Sequence, residues 1–146
     1  MKDATFIKTY CAIRSNGKII MTQDKEGQPG WKLPGGHVEG RELLMDAAKR
    51  EVEEEIGLKI NITGILLIED YFNNKRPEEH NMNFFFYADL VGGDLKPKAD
   101  EVAKIELFAL SEIGKLDQIY SHHKNAIAKL ASSADVEQSL SFFLEK

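Results

Sequence analysis

The feature that most constrains this chain is a glycine pair followed by an acidic helix that a further glycine ends. Gly35 and Gly36 precede a segment with helical spacing, and Gly57 stands where a left-handed C-cap residue is expected. Because residues three and four apart are neighbours on a helix surface, several carboxylates of this segment are grouped. The grouped carboxylates are those of Glu51, Glu54 and Glu55. The sequence therefore predicts a tight loop joined to a helix from about Glu42 to Ile56.

The grouped glutamates fall on the same half of this helix as its small and apolar residues, at about 100° per residue. Those residues are Leu44, Ala47 and Ala48. Glu53 falls on the opposite side, where a solvated glutamate is expected. Like charges at this spacing destabilise a helix, and partial burial makes uncompensated charge more unfavourable. A divalent cation removes that repulsion, and all-oxygen ligands suit Mg²⁺ or Mn²⁺. The helix therefore predicts a divalent-metal site.

The same residues belong to a longer pattern that resembles the signature box of the Nudix hydrolases, the MutT-like enzymes. The pattern covers residues 36–58 and begins with Gly36 and Glu42. It ends with the run Arg50-Glu51-Val52-Glu53-Glu54-Glu55-Ile56-Gly57-Leu58. The resemblance implies one Nudix hydrolase domain over residues 1–146, with a mixed β-sheet in an α/β/α sandwich. It also implies hydrolysis of a nucleoside diphosphate linked to a variable group X.

The resemblance assigns roles to individual residues of the box. Glu51, Glu54 and Glu55 would ligate Mg²⁺ or Mn²⁺, and the carbonyl of Gly36 would add another oxygen ligand. Gly35 shares the loop that presents this carbonyl. Glu54 is the expected catalytic residue, because it would bind metal and also help deprotonate the attacking water. Members of the family differ in which carboxylate is the base.

Three further residues are expected to support the site. Arg50 lies one turn before Glu54, so an ion pair with Glu54 would hold a metal ligand in place. Glu42, at the predicted start of the helix, favourably opposes the helix dipole and is either structural or part of the outer shell of the metal site. Glu101 lies in a loop before a later strand, where this family often contributes a catalytic acidic residue. The alternative for Glu101 is a solvated loop glutamate.

The loop before Glu42 departs from the usual order of the box. The family frequently places a glycine immediately before the glutamate, whereas this chain has Gly40 followed by Arg41. An arginine with positive φ would be strained. Either the loop is rearranged or Gly40 takes the left-handed conformation. Arg41 is then either solvated or placed to reach a substrate phosphate.

Composition limits the other classes of function. The chain has 146 residues, about the size of one domain, and its net charge of −5 argues against broad binding to nucleic acid. It has no apolar signal segment and no apolar run of about 18 residues, so we expect a cytoplasmic protein that does not bind membranes. Cys11, the single cysteine, is expected to be a packed thiol. No coiled-coil pattern is present, and the sequence leaves the oligomeric state undetermined.

Periodicity and turn residues predict strands on both sides of the acidic helix and helices near the C-terminus. The expected strands are Thr5 to Ile13, Lys18 to Thr22, Trp31 to Leu33, Lys59 to Ile68, Asn83 to Leu90 and Ala103 to Ala109. Loops are expected at residues 73–81 and 91–98, and a hairpin turn at Asn16-Gly17. Helical segments are expected at Ser111-Glu112, Ser121 to Leu130 and Asp135 to Leu144. This order predicts an α/β layered domain.

The leading hypothesis is a Mg²⁺-dependent pyrophosphohydrolase that acts on a free or modified nucleoside triphosphate. The alternatives are a sugar nucleotide, a dinucleotide or an RNA 5′ end as substrate, and a catalytically silent nucleotide-binding sensor. The complete glutamate set argues against the sensor. Tyr71 and Phe72 either stack on a base or belong to the core. Lys75 and Arg76 are either solvated or meet phosphates.

Overall fold

The computed structural model of the protein describes residues 3–27 and 29–133. Six strands form one sheet in this part of the chain: β1 Ala4–Ser15, β2 Lys18–Asp24, β3 Gly35–His37, β4 Leu58–Phe72, β5 Glu79–Gly93 and β6 Val102–Ala109. Helix α1 spans Leu44–Ile56 and the short helix α2 spans Leu110–Ile113. A 3₁₀ turn at Ser121–His123 leads into helix α3, which is described over residues 124–133. The predicted helix from Asp135 to Leu144 lies outside the described residues.

The sheet is mixed, as predicted. Its strand order is β4-β5-β1-β2-β6, with β3 pairing on β1. Strands β1 and β5 are parallel, and the other pairs are antiparallel. Asn16 and Gly17 join β1 to β2 with φ of 52° and 76°, the positive pair of values that a two-residue hairpin turn requires. The predicted hairpin is therefore confirmed.

Side chains alternate along each strand, so apolar residues lie on both faces of the sheet, and helices cover both faces. The face toward α3 has a buried cluster that includes Tyr10, Ala12, Phe85, Ile127 and Leu130. The face toward α1 has a buried cluster that includes Cys11, Ile13, Ala48, Val52 and Ile56. The α/β/α sandwich is therefore confirmed. Cys11 is a fully buried free thiol, and burial raises its pKa to about 12, so it is packed as expected.

The predicted strand from Trp31 to Leu33 is wrong. Trp31 and Lys32 form only isolated bridges, and the regular strand β3 lies instead at the glycine pair. Strand β3 forms at the glycine pair for a steric reason. A Cβ atom at Gly35 would collide with the backbone carbonyl of Thr9 on β1, so only glycine fits there. The lack of side chains lets the backbone of this loop pair directly with β1.

Two predicted loops are partly strand. The loop expected at residues 73–81 is shorter, because β4 continues to Phe72 and β5 begins at Glu79. The loop expected at residues 91–98 begins only after Gly93, where β5 ends. The long antiparallel pairing of β4 with β5 overrides the low strand propensity of these polar and glycine residues. No helix in the described ranges has the length and apolar character needed to cross a membrane.

Candidate active site

Helix α1 presents its glutamates at three different depths. Glu55 is buried with 7% exposure, Glu51 is half-buried, and Glu54 is exposed. The expectation that all three overlap the buried side holds for Glu51 and Glu55 and is wrong for Glu54. Adjacent residues are about 100° apart, so a helix that directs Glu55 inward directs Glu54 to the margin. Glu53 is exposed, as predicted.

Gly57 ends α1 as predicted. Its φ is +80°, and its N–H donates to the carbonyl of Glu53 at 2.9 Å. The chain then runs into β4, while residues 96–98 return to the same end of the helix. The N–H groups of Lys96 and Lys98 donate to the carbonyls of Ile56 and Glu55, each at 2.8 Å. These bonds fix the loop before β6 against α1.

Arg50 connects the carboxylates of the site. Its Nη1 lies 3.1 Å from Glu51 Oε1 and 3.0 Å from Glu54 Oε2, so the predicted ion pair with Glu54 is present. Because both oxygens bond the same nitrogen, they lie at most about 6 Å apart. Nη2 also donates to the carbonyl of His37 at 3.0 Å, which ties α1 to β3. Burial, only partly offset by Arg50, raises the pKa of Glu51.

Glu42 differs from its predicted position. Helix α1 begins at Leu44, so Glu42 lies two residues before the helix instead of in its first turn. Its carboxylate accepts two hydrogen bonds from Arg50, at 2.6 Å from Nε and 2.9 Å from Nη2. It also accepts the N–H of Glu39 at 3.2 Å. The bond from Arg50 holds the pKa of Glu42 below its usual range. Glu42 thus positions Arg50 and is not directed at the free N–H groups of the helix.

Gly40 takes the left-handed turn of the loop. Its φ is +49°, and a Cβ atom there would meet open space. Among non-glycine residues of the described chain, Asn16 alone has a positive φ, so Arg41 does not adopt the strained conformation. Of the two alternatives for this loop, the structure shows the one in which Gly40 absorbs the turn.

A cavity of about 270 Å³ opens where α1, β3 and the loop before β6 meet. We call it the acidic cavity. Its lining residues are Asp24, Glu26, Lys32, Gly35, Glu51, Glu55, Asp100 and Glu101. The structure therefore brings Glu101 together with Glu51 and Glu55, as predicted. Glu54 does not line the cavity and is joined to it through Arg50.

Glu55 is the buried carboxylate of the acidic cavity. Its Oε2 accepts the N–H of Gly35 at 3.4 Å, whereas its buried Oε1 has no hydrogen-bond partner in the described chain. Burial raises the pKa of Glu55 to about 7, and the nearby ammonium of Lys32 partly opposes that shift. A buried carboxylate oxygen without a partner is unfavourable unless a cation or donor reaches it.

The residues at this corner fit a divalent cation. A Cβ atom at Gly36 would lie 2.6 Å from the carboxylate carbon of Glu51, so only glycine lets the β3 backbone approach that carboxylate. The atoms available as metal ligands are oxygens, which suits Mg²⁺ or Mn²⁺. Within residues 3–27 and 29–133, no three His, Cys, Asp or Glu side chains are arranged to enclose an ion as they stand. Glu51 and Glu54 are engaged by Arg50 instead.

Lys32 was not predicted as a site residue. It lines the acidic cavity, pairs with Asp24 at 3.1 Å, and lies over the ring of Tyr120 at 5.4 Å from its centroid. The sequence signal was its position between two apolar residues, Trp31 and Leu33, shortly before the glycine pair. Side chains of an extended segment alternate, so a polar residue there points away from the core.

A second cavity of about 490 Å³ lies on the α3 face of the sheet, and we call it the basic cavity. Its rings include Phe6, His37, Tyr71, Phe72, Tyr120 and His122, and its cations are Lys8, Lys75 and Arg76. Tyr71 stacks on His122 with ring centroids 3.8 Å apart. The structure therefore places Tyr71 and Phe72 at a cavity and not inside the core.

Comparison with known proteins decides the family. A family model described as the NUDIX domain matches residues 7–130. The chain belongs to the Nudix hydrolase family. Curated Nudix relatives include the ADP-ribose pyrophosphatase of Methanocaldococcus jannaschii, 32% identical over 115 residues. They also include the NAD-capped RNA hydrolase NudC of Deinococcus radiodurans, 31% identical over 104 residues.

These matches cover 77% and 68% of this chain but only 65% and 35% of the relatives. The chain thus spans less than two thirds of the length of either relative. Solved Nudix structures share the fold. The MutT NUDIX hydrolase from Burkholderia pseudomallei superposes with a TM-score of 0.76 at 23% identity, over 87% of this chain and 98% of that one.

Proposed function

We propose that this Nudix domain hydrolyses a diphosphate linkage in a nucleoside diphosphate-X substrate with the help of Mg²⁺ or Mn²⁺. The observation that carries the proposal is the acidic cavity, in which Glu55 has a buried oxygen without a partner beside Glu51 and Glu101. A purely structural helix would have no reason to bury this carboxylate. A cation there offsets the desolvation that raises its pKa.

Glu51, Glu54 and Glu55, with the carbonyl of Gly36, would hold the metal. When bound, the metal supplies charge neutralisation for the phosphate oxygens. Arg50 sets the positions of the Glu51 and Glu54 carboxylates through the bonds from its Nη1. Glu42 orients Arg50 in turn.

Proton transfer falls to Glu54 in this proposal. Its side chain is 55% exposed, so water reaches it, and Arg50 holds it on the turn of α1 that carries the other ligands. Such a carboxylate is able to accept the proton of the attacking water. Glu101 reaches the acidic cavity from the loop before β6 and would add a further carboxylate beside the bound metal.

The leading substrate is a free or modified nucleoside triphosphate. A sugar nucleotide of the ADP-ribose type is the second candidate. The observation that favours it is the basic cavity beside the acidic one, which gives a bulky group X a place to bind. The M. jannaschii relative is named an ADP-ribose pyrophosphatase, which also supports this candidate.

The test is a screen of nucleoside triphosphates, sugar nucleotides, dinucleotides and capped RNA with Mg²⁺, read as released phosphate and nucleotide product. We expect Glu54→Gln to lower turnover at least about 100-fold, because it removes a metal ligand and a proton acceptor. Glu53→Gln is the matched control, since Glu53 is the exposed neighbour that points away from the site. It should turn over at the native rate.

Unfolding curves of both variants should match that of the native protein, so that a loss of turnover reports on chemistry. If the native protein hydrolyses no member of the panel, the enzyme proposal fails and the sensor gains support. If Glu54→Gln keeps the native rate, Glu54 has neither of the proposed roles.

A further inference from the structure

Lys8 carries a positive charge that forms no ion pair within the described residues, and Glu79 acts on it only from a longer distance. It lies half-buried in β1 at the floor of the basic cavity. Its Nζ donates to the hydroxyl of Tyr71 at 3.4 Å and lies 5.9 Å from the centroid of that ring, and both groups are neutral. None of the ion pairs in residues 3–27 and 29–133 includes Lys8. A partly desolvated ammonium of this kind favours an anionic ligand.

The other charged residues that line the basic cavity are also mainly positive. Exposed Lys75 and Arg76 stand at its rim, and Glu79 is the one carboxylate among its described lining residues. Glu79 is already paired with Arg76 at 3.1 Å. Burial lowers the pKa of both His37 and His122, which favours their neutral form, so these rings do not change the sign of the cavity. The cavity therefore attracts anions, although the whole protein has a net charge of −5.

The same strand, β3, lines both cavities. Gly35 lines the acidic cavity and His37 lines the basic cavity, and both belong to β3. Two residues of a strand span about 7 Å. Lys8 is the cross-strand partner of His37, so its charge lies at the end of β3 away from the acidic cavity. Tyr120, which lines the basic cavity, packs under Lys32 of the acidic cavity.

We propose that the basic cavity binds a phosphate of the substrate other than the two phosphates of the scissile diphosphate, and that Lys8 is its specificity-determining residue. The aromatic rings hold the base or sugar, and Asn81, a buried amide between Phe6 and Tyr71, lines the same floor. This inference rests on the proposed function, because the scissile diphosphate is placed at the acidic cavity. The extra phosphate belongs either to a longer phosphate chain or to a ribose.

The experiment compares matched substrates that differ by one phosphate. Adenosine diphosphate against triphosphate tests the chain, and dephospho-coenzyme A against coenzyme A tests the ribose. We expect kcat/KM to favour the member with the extra phosphate by about 10-fold in one pair, as one charge-assisted bond to phosphate predicts. Lys8→Met should abolish that preference, and Lys8→Arg should restore most of it. Lys59→Met is the control, since Lys59 is an exposed strand lysine that lines neither cavity.

The pair that shows the preference identifies the source of the phosphate. Equal rates within both pairs, or a preference that survives in Lys8→Met, would overturn the inference while leaving the proposed hydrolysis intact. Calorimetry in EDTA separates the two proposals when nothing is hydrolysed. Adenosine triphosphate binding about 10-fold more tightly than the diphosphate, or adenosine 3′,5′-bisphosphate binding about 10-fold more tightly than the monophosphate, supports the basic cavity if Lys8→Met loses that difference, even though the enzyme proposal then fails.

Discussion

His123 shows how a single residue joins the helical layer to the sheet. Its Nδ1 accepts the N–H of Leu33 at 3.0 Å, and its ring packs edge-on against Tyr10 at 4.2 Å. The side chain is fully buried, and its Nε2 has no partner in the described chain. Burial, together with the charge of Lys32, holds the pKa of His123 well below its usual value. The ring is therefore neutral in the folded protein.

The neutral His123 should make stability sensitive to acid. An imidazole whose pKa is lowered by folding binds a proton more readily in the unfolded chain, so its contribution is present above about pH 6.5 and is lost as pH falls below it. Between about pH 7.5 and 5.5 this loss amounts to about 1 kcal/mol of the free energy of unfolding. We expect His123→Asn, which keeps an acceptor for Leu33, to show a smaller loss over the same interval.

Urea unfolding at the two pH values measures the difference. Each protein is compared with itself at the two pH values. The stability lost with the ring volume in His123→Asn is the same at both, so it does not affect the difference. The other ionisable groups are common to both proteins, so their contributions cancel. Equal pH dependence in native protein and variant would show that the ring of His123 accepts a proton without unfolding.

At the scale of elements, two left-handed glycines bound the segment that carries the site. Gly40, with φ of +49°, turns the loop before α1, and Gly57, with φ of +80°, ends the helix. Their surroundings differ. A Cβ atom at Gly40 meets nothing within 4 Å, whereas one at Gly57 would collide with the carbonyl of Asp94. The glycine at the helix end therefore also permits the loop that delivers Glu101 to pack against α1.

Alanine at these glycines separates strain from collision. Gly40→Ala should lower the free energy of unfolding by about 1 kcal/mol, the cost of a left-handed alanine. Gly57→Ala should lower it by at least about 3 kcal/mol, because the collision with Asp94 adds to the same strain. Denaturant unfolding measures both. Equal losses would mean that the loop of Asp94 moves aside without a penalty.

At the scale of the whole molecule, the acidic cavity joins parts that are distant in the chain. Strand β3, helix α1 and the loop before β6 each contribute lining residues, and Lys25 donates its N–H to the carbonyl of Glu101 at 2.9 Å. The unfolded chain has no such constellation. A cation that binds there should therefore stabilise the entire fold and not one element alone.

Addition of Mg²⁺ to metal-free protein should raise the unfolding midpoint. At about 100 times the dissociation constant the gain is about 2.7 kcal/mol in the free energy of unfolding. We expect Glu55→Gln to lose most of this gain, since it removes a buried ligand. Glu53→Gln should keep it. Thermal unfolding in EDTA and in Mg²⁺ measures each gain, and an equal gain in all three proteins would place the cation elsewhere.

The sequence by itself determined the local parts of this protein. The C-cap at Gly57, the hairpin at Asn16-Gly17 and the pair of Arg50 with Glu54 follow from spacing of at most four residues, where local geometry fixes the contact. The sequence also predicted the layered α/β class and the Nudix family. Such features need no knowledge of how distant segments pack.

Only the tertiary structure decided which charges meet across the sheet. The pairing of β3 with β1 and the length of the β4–β5 pair depend on contacts between segments far apart in sequence, which periodicity does not record. The same contacts bury Glu55 and leave Glu54 exposed. They also place Lys8 in the basic cavity, where it forms no ion pair with the described residues. Long-range packing therefore separated an acidic cavity from a basic one within an acidic chain.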